Sequence, residues 1–225
     1  MNIRVCFNVL LVRFGIRQIL PSDYINAIPV AESSEPMVEL PDGIIDKTDG
    51  KVIVGRKGMI ERLTTAARIV SEQGYRLHIF QTYRSPLEQA EKRTKLYEET
   101  KAKYLDYPDD KILRMLNVGV AGVGGGHQTG GAVDLSLCDK DGKEIDMGTQ
   151  YREFNPKTPT RSKELNCEQQ RNRVILLKAM QNAGFVNYPA EWWHYSYGDR
   201  MWAAYSNRRT AIYGVLDMCS NLITR

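Results

Sequence analysis

Gly124-Gly-Gly-His-Gln-Thr-Gly-Gly-Ala-Val-Asp134, running on as Leu-Ser-Leu137, is the stretch around which this chain is organised. It sets His127 seven residues ahead of Asp134, with Gly130, Gly131 and Ala132 between them. Imidazole nitrogen and carboxylate oxygen are both zinc ligands, and a catalytic zinc takes three protein ligands and keeps one position for water. Two ligands so near in sequence can meet at one ion only where the backbone folds back tightly, which glycine permits. From Ala132 the residues alternate in the strand period, so Asp134 is expected on one face and Val133, Leu135 and Leu137 on the other. A third ligand is still required. The chain has only three histidines, and one of them closes the segment Glu191-Trp-Trp-His194.

The 225 residues suit one compact domain with a substantial core. A composition 42% hydrophobic and 26% charged, with nine prolines, is that of a globular protein and neither disordered nor collagen-like. The net charge of +4 is mild and its basic residues are scattered, which argues for a solvated surface and against a nucleic-acid partner. Cys6, Cys138, Cys167 and Cys219 lie far apart without a Cys-x-x-Cys pair, so neither a cysteine zinc cage nor a disulfide scaffold is expected. At the N-terminus, Met1 to Val12 has the look of a secretion signal. Arg13 and Arg17 cut the apolar run short, however, and no small-x-small cleavage site follows. A cytoplasmic location is therefore favoured over a periplasmic or secreted one. No run reaches the length of a membrane span.

Along the chain, Ile28 to Leu40 reads as extended and Pro41-Asp42-Gly43 as a turn. Apolar residues at helical spacing from Met59 to Val70 predict a helix over 56–73 capped by Gly74, and a strand over 75–80 follows. Ser85, Pro86 and Glu88 fit the N-cap, first and third positions of a further helix, a capping box that leaves Arg84 at a strand-to-helix junction. That helix is expected to end near Tyr104, with a short one over 109–117. Asp139 to Gly142 reads as a turn and 147–166 as a long polar loop. Asn166 and Gln169 predict the start of a helix that ends at Gly184; short strands over 185–188 and 192–197 and a helical tail from Asp199 complete the chain.

Glu191 and His194 are three apart, and on a continuous strand they would face opposite sides. Pro189-Ala190 suggests that Glu191 is still in a turn when the strand begins. A zinc site then takes His127, Asp134 and His194 as ligands, with Glu191 as the base that deprotonates the metal's water and Arg84 stabilising charge on the substrate oxygen. Each residue alone has a plainer reading: His127 a loop histidine, Asp134 a turn cap, Glu191 a solvated acid, Arg84 a surface ion pair. It is their occurrence together that carries the metal site.

His-x-x-Gly-x-Ala-x-Asp at 127–134, Tyr-Arg-Ser at 83–85 and Glu-Trp-Trp-His at 191–194 resemble the zinc D,D-peptidases, a family that includes D-alanyl-D-alanine dipeptidases of vancomycin resistance and related D,D-carboxypeptidases. The similarity runs from about Ile28 to Trp202. It implies an α+β fold of the Hedgehog/D,D-peptidase kind, with a central antiparallel sheet carrying the zinc site and helices packed outside. It implies residues 28–225 as a single catalytic domain, preceded by an extension over 1–27. It also implies one zinc per chain, ligands His127, Asp134 and His194, Glu191 as general base and Arg84 as transition-state stabiliser.

Three positions depart from the family pattern. Gly125 stands where a serine is usual, Arg152 where dipeptidases carry an acid that anchors the substrate ammonium, and Gln81 where an aspartate is common. These leave the metal chemistry intact and bear on which peptide is cut. The expected substrate is D-alanyl-D-alanine or a similar D,D-dipeptide. Two alternatives stay open: a D,D-carboxypeptidase trimming peptidoglycan-derived peptides, and a non-catalytic zinc module that binds cell-wall peptides.

Overall fold

The computed structural model describes residues 3–41, 46–47, 52–119, 125–216 and 223–224. The expected turn at Asp42-Gly43, Gly124 and Cys219 lie outside them. The chain begins with helices α1 (Ile3–Arg13) and α2 (Ser22–Asn26), then strands β1 (Met37–Glu39), β2 (Asp46–Lys47) and β3 (Val54–Arg56). Helix α3 (Lys57–Ser71), strand β4 (Tyr75–Gln81) and helices α4 (Pro86–Lys103) and α5 (Asp109–Gly119) follow. A 3-10 turn (Gly126–Thr129) leads into strand β5 (Ala132–Asp139). Helix α6 (Cys167–Asn182), strands β6 (Val186–Asn187) and β7 (His194–Ser196), helix α7 (Arg200–Tyr205) and strand β8 (Ile223–Thr224) come last.

The main sheet has the order β2-β4-β5-β7-β6, and a smaller one has the order β3-β1-β8. Within the main sheet each neighbouring pair of β4, β5, β7 and β6 is antiparallel, while the two-residue β2 lies parallel to β4. With the helices against it, this is the α+β architecture expected. Leu77 and Ile79 of β4 lie opposite Leu137 and Leu135 of β5, and all four are buried. They join one core with Val133, Met59, Leu63, Ala66, Ala67 and Val70 of α3, and Leu176 and Met180 of α6. These α3 positions recur every three to four residues, which is why that helix buries a single stripe. Burying such a set of side chains is the main favourable contribution to folding, roughly 1.5–3 kcal/mol for each large one.

Helix starts follow local chemistry. Ser85 accepts from the Glu88 amide while Glu88 reaches back to Ser85, closing the capping box with Pro86 in the first turn. Asn166 and Gln169 close the same box on α6. Gly74 and Gly184 leave their helices with φ of +82° and +97°. The helical tail is a correction: among the described residues after Asp199, helix extends only over Arg200–Tyr205. Asn207 turns left-handed (φ 57°) and the Arg208 amide bonds back to Ala203 O at 2.8 Å, after which Ala211 runs extended beside Val30. Among the described residues Cys6 and Cys167 are free thiols, and the buried Cys138 Sγ lies 3.7 Å from Arg76 O. Among the described residues no helix is long and apolar enough to cross a membrane.

Candidate active site

Strand register creates the site. Asp134 on β5 lies directly opposite His194 on β7, and residues facing each other across an antiparallel pair share a face. His194 Nδ1 is 2.9 Å from Asp134 Oδ1. His127 arrives from the other side: the turn Gly126–Thr129 ends at Gly130 with φ +72°, and the chain doubles back into β5. Its Nε2 is 3.2 Å from the same Asp134 oxygen, and its Nδ1 is 2.7 Å from Thr82 O. One ligand atom from each of the three residues falls within 4.8 Å of the others.

The Thr82 contact is built by β4. The β4–β5 register slips between Ile79 and Gln81, just before the strand ends, and the chain then leaves the sheet towards His127. The Arg84 amide donates to His127 O at 3.1 Å, a second tie between the two segments. Because Thr82 O accepts a hydrogen from Nδ1, His127 offers Nε2 as its free donor atom. Two imidazoles and one carboxylate, His127 half-buried and the other two buried, converge on one point with a backbone carbonyl behind the first and suit a catalytic zinc.

Charge follows the same geometry. Burial opposes ionisation of Asp134, but the two histidines outweigh it and hold the carboxyl well below the usual carboxylate range. Burial lowers the His127 pKa; for His194 the hydrogen bond to Asp134 overcomes burial and the net shift is upward. Tyr151 donates its hydroxyl to Asp134 Oδ2 at 2.8 Å, so both carboxylate oxygens are held.

Glu191 precedes β7 in a turn, its amide bonded to Tyr188 O and its carbonyl accepting from the His194 amide, so it is not forced to the opposite face. It is partly exposed, yet burial by the surrounding protein, with Asp134 adding, raises its pKa to about 7. Arg84 is buried, and its Nη1 donates to Gln89 Oε1 at 2.6 Å. Burial first, then Arg152, lowers its pKa, but a guanidinium stays charged at neutral pH. The structure thus brings His127, Asp134 and His194 together, and Glu191 and Arg84 lie near enough for the Asp134 charge to act on both.

Residues 37–212 match the peptidase M15 family, described as D-ala-D-ala dipeptidase. The chain belongs to that family. Three curated relatives are each named D-alanyl-D-alanine dipeptidase. The one from Escherichia coli is 30% identical over 164 residues, 70% of this chain and 77% of its own length. The one from Enterococcus faecium is 29% identical over 67% of this chain and 76% of its own length. The one from a Synechocystis strain is 37% identical over 95 residues, which span 38% of that relative. Among solved structures, a vancomycin-resistance D,D-pentapeptidase, a VanY variant in complex with Zn(II), is similar over 80% of this chain and 92% of its own. Its identity is 17% and its TM-score 0.48. The LD-carboxypeptidase LdcB matches with 20% identity and a TM-score of 0.48, over 84% of this chain and 78% of its own.

Several groups in this M15 site carry no signal in the sequence. Tyr151 comes from the long polar loop, where nothing periodic marks it. Gln89 sits one helical turn beyond the Ser85 cap and five residues beyond Arg84, and its place in that capping segment is the signal that could have singled it out. Lys92, one turn further along α4, feels Arg84 and Arg152 as well as Asp134 and Glu191; burial chiefly, then those two arginines, lower its pKa to about 7. Of the positions that depart from the family pattern, Gly125 brings no side chain, and its amide donates to Gln128 Oε1 at 3.0 Å. Arg152 is exposed, with φ 63° and its guanidinium 4.6 Å from the Tyr151 ring centre. The Glu153 carboxylate is occupied by its own loop, accepting from the Gln150 amide and from Asn155 Nδ2 at 2.9 Å each.

Proposed function

We propose that this M15 protein is a zinc-dependent D,D-peptidase whose substrate is D-alanyl-D-alanine or a similar D,D-dipeptide. The observation that carries this reading is the meeting of His127, Asp134 and His194 within 4.8 Å, beside Glu191 and Arg84. His127, Asp134 and His194 are the residues that would hold the zinc, one ion per chain. When bound, zinc supplies Lewis acidity, acidifying a water and polarising the scissile carbonyl. Glu191 takes the proton from the attacking water on its carboxylate and returns it to the leaving amine nitrogen. Arg84, held in place by Gln89, presents its guanidinium to the oxyanion of the tetrahedral state. Tyr151 holds Asp134 Oδ2 and so fixes the carboxylate. Residues 28–225 form the catalytic domain in this reading and 1–27 an extension. A cytoplasmic location, favoured by the arginines that break the N-terminal apolar run, goes with a free dipeptide as substrate.

A second reading, a D,D-carboxypeptidase acting on peptidoglycan-derived peptides, is favoured by one specific observation. Arg152 stands where a dipeptidase carries an acid for the free ammonium, its guanidinium over the Tyr151 ring, and Glu153 beside it is occupied. The two readings separate on the substrate's amino end. Zinc-loaded protein is given D-Ala-D-Ala in one reaction and an N-acylated peptide ending in D-Ala-D-Ala in another, and free D-alanine is quantified. Release from the dipeptide is the expected result. Release from the acylated peptide alone makes the protein a carboxypeptidase, and release from neither with zinc bound rejects both substrates.

A further inference from the structure

Behind His194 lies a pair of polar side chains that the mechanism above does not use. Asp199 is 1% exposed. Its Oδ1 caps α7, accepting from the Trp202 amide at 2.8 Å, but Oδ2 is buried with no hydrogen bond closed to it. A cap accounts for the first oxygen and leaves the second unexplained, and an unsatisfied buried carboxylate oxygen is costly. The same oxygen rests on the turn that carries His127: a Cβ at Gly126 would stand 2.2 Å from it, so only glycine lets the carboxylate sit there.

Ser196 occupies the space between. It is two residues beyond His194 on β7, on the same face, and is wholly buried. Its Oγ is 3.4 Å from His194 Nε2 and 3.8 Å from Met201 Sδ. The other ring nitrogen of His194 is the one that faces Asp134, at 2.9 Å. Burial raises the Asp199 pKa, while the Trp202 amide, the neighbouring Ser196 hydroxyl and the two histidines act in the opposite sense.

We propose that Ser196 and Asp199 are positioning residues for His194: the Ser196 hydroxyl accepts from the His194 Nε2 hydrogen and donates towards Asp199 Oδ2. This keeps the hydrogen of the neutral ring on Nε2 and leaves the Nδ1 lone pair aimed at the point shared with His127 and Asp134. A histidine ligand whose other nitrogen is held in this way keeps its tautomer and ring angle, and losing the partner typically weakens metal binding about 10–100-fold. Asp199 also ties the two ligand-bearing segments together, through Gly126 on one side and Ser196 on the other. The inference rests on the zinc-site reading.

The test is zinc affinity of the full chain, by chelator competition, for the wild type, S196A, D199N and the double variant. D199N retains a side-chain oxygen for the Trp202 amide, and S196A leaves the cap untouched, so at least one single variant reports on a folded protein; thermal unfolding without metal checks this. The expected result is zinc binding weakened about 10–100-fold in each single variant. The double variant should lose no more than the weaker-binding single one, because both substitutions break the same chain of bonds. Cobalt-loaded S196A should also show a shifted visible absorption band. Wild-type affinity in both single variants overturns the proposal, as do losses that multiply in the double variant, since those would mark two independent structural effects. A wild-type chain that fails to bind zinc overturns the metal site itself and the relay with it.

Discussion

Glu191 is the residue on which the chemistry turns. Replacing it with Gln keeps its size and hydrogen-bonding reach but removes the base, so kcat is expected to fall about 10²–10⁴-fold. Zinc content, measured by elemental analysis, should be unchanged, because Glu191 is outside the ligand set; retained turnover would remove it from the base role. Its pKa fixes the pH dependence. The carboxylate is the active form, and burial raises its pKa to about 7, so kcat/KM should decline as pH falls through that value and Glu191 becomes protonated. A bound cation favours the carboxylate and draws the midpoint below about 7. An acid limb that is the same in E191Q as in the wild type would assign it to another group. Most of this residue set is legible from sequence because each member sits in a short motif with its own local logic: a glycine turn before a strand, a capping box after one. Tyr151 and Asp199 are not legible in that way, since what places them is contact across the fold.

At the scale of elements, the turn between His127 and β5 and the β5–β7 register do the placing. Gly130 has φ +72°, and a Cβ there would meet Met37 Sδ at 2.7 Å and the Arg56 amide nitrogen at 3.2 Å. The Arg56 amide donates to Gly130 O, and the Arg56 guanidinium donates to Thr129 O at 3.0 Å, so the turn has little room to move. Gly130→Ala is expected to destabilise the fold by about 1–3 kcal/mol. For a chain of this size that lowers Tm by roughly 2–4 °C per kcal/mol and should weaken zinc binding as well. A variant with wild-type Tm and affinity would show that the turn tolerates a side chain. Helix starts and the buried stripe of α3 are legible in the sequence because they rest on contacts a few residues apart. The pairing of Asp134 with His194, 60 residues away, rests on register and is not. The same holds for the parallel β2 and for the end of α7, where Ala211 prefers extended pairing with Val30 to a further helical turn.

For the molecule as a whole, the site is a seam where β4, β5, β7 and the 147–166 loop meet, so a metal bound there fastens segments distant in sequence. A ligand that binds only the folded state raises stability by mass action, about 2.7 kcal/mol at a hundredfold excess over Kd. Stripping the metal with a chelator is therefore expected to lower Tm by several degrees, and adding zinc to restore it; a Tm indifferent to both would mean that the seam does not bind zinc. Zinc-dependent dipeptide hydrolysis is tested by release of D-alanine from D-Ala-D-Ala by three preparations: the protein as purified, after chelation, and after return of one equivalent of zinc. Release should disappear on chelation and return with the metal. Release that survives complete metal removal, or none from protein shown to hold one zinc per chain, would contradict zinc-dependent dipeptide hydrolysis.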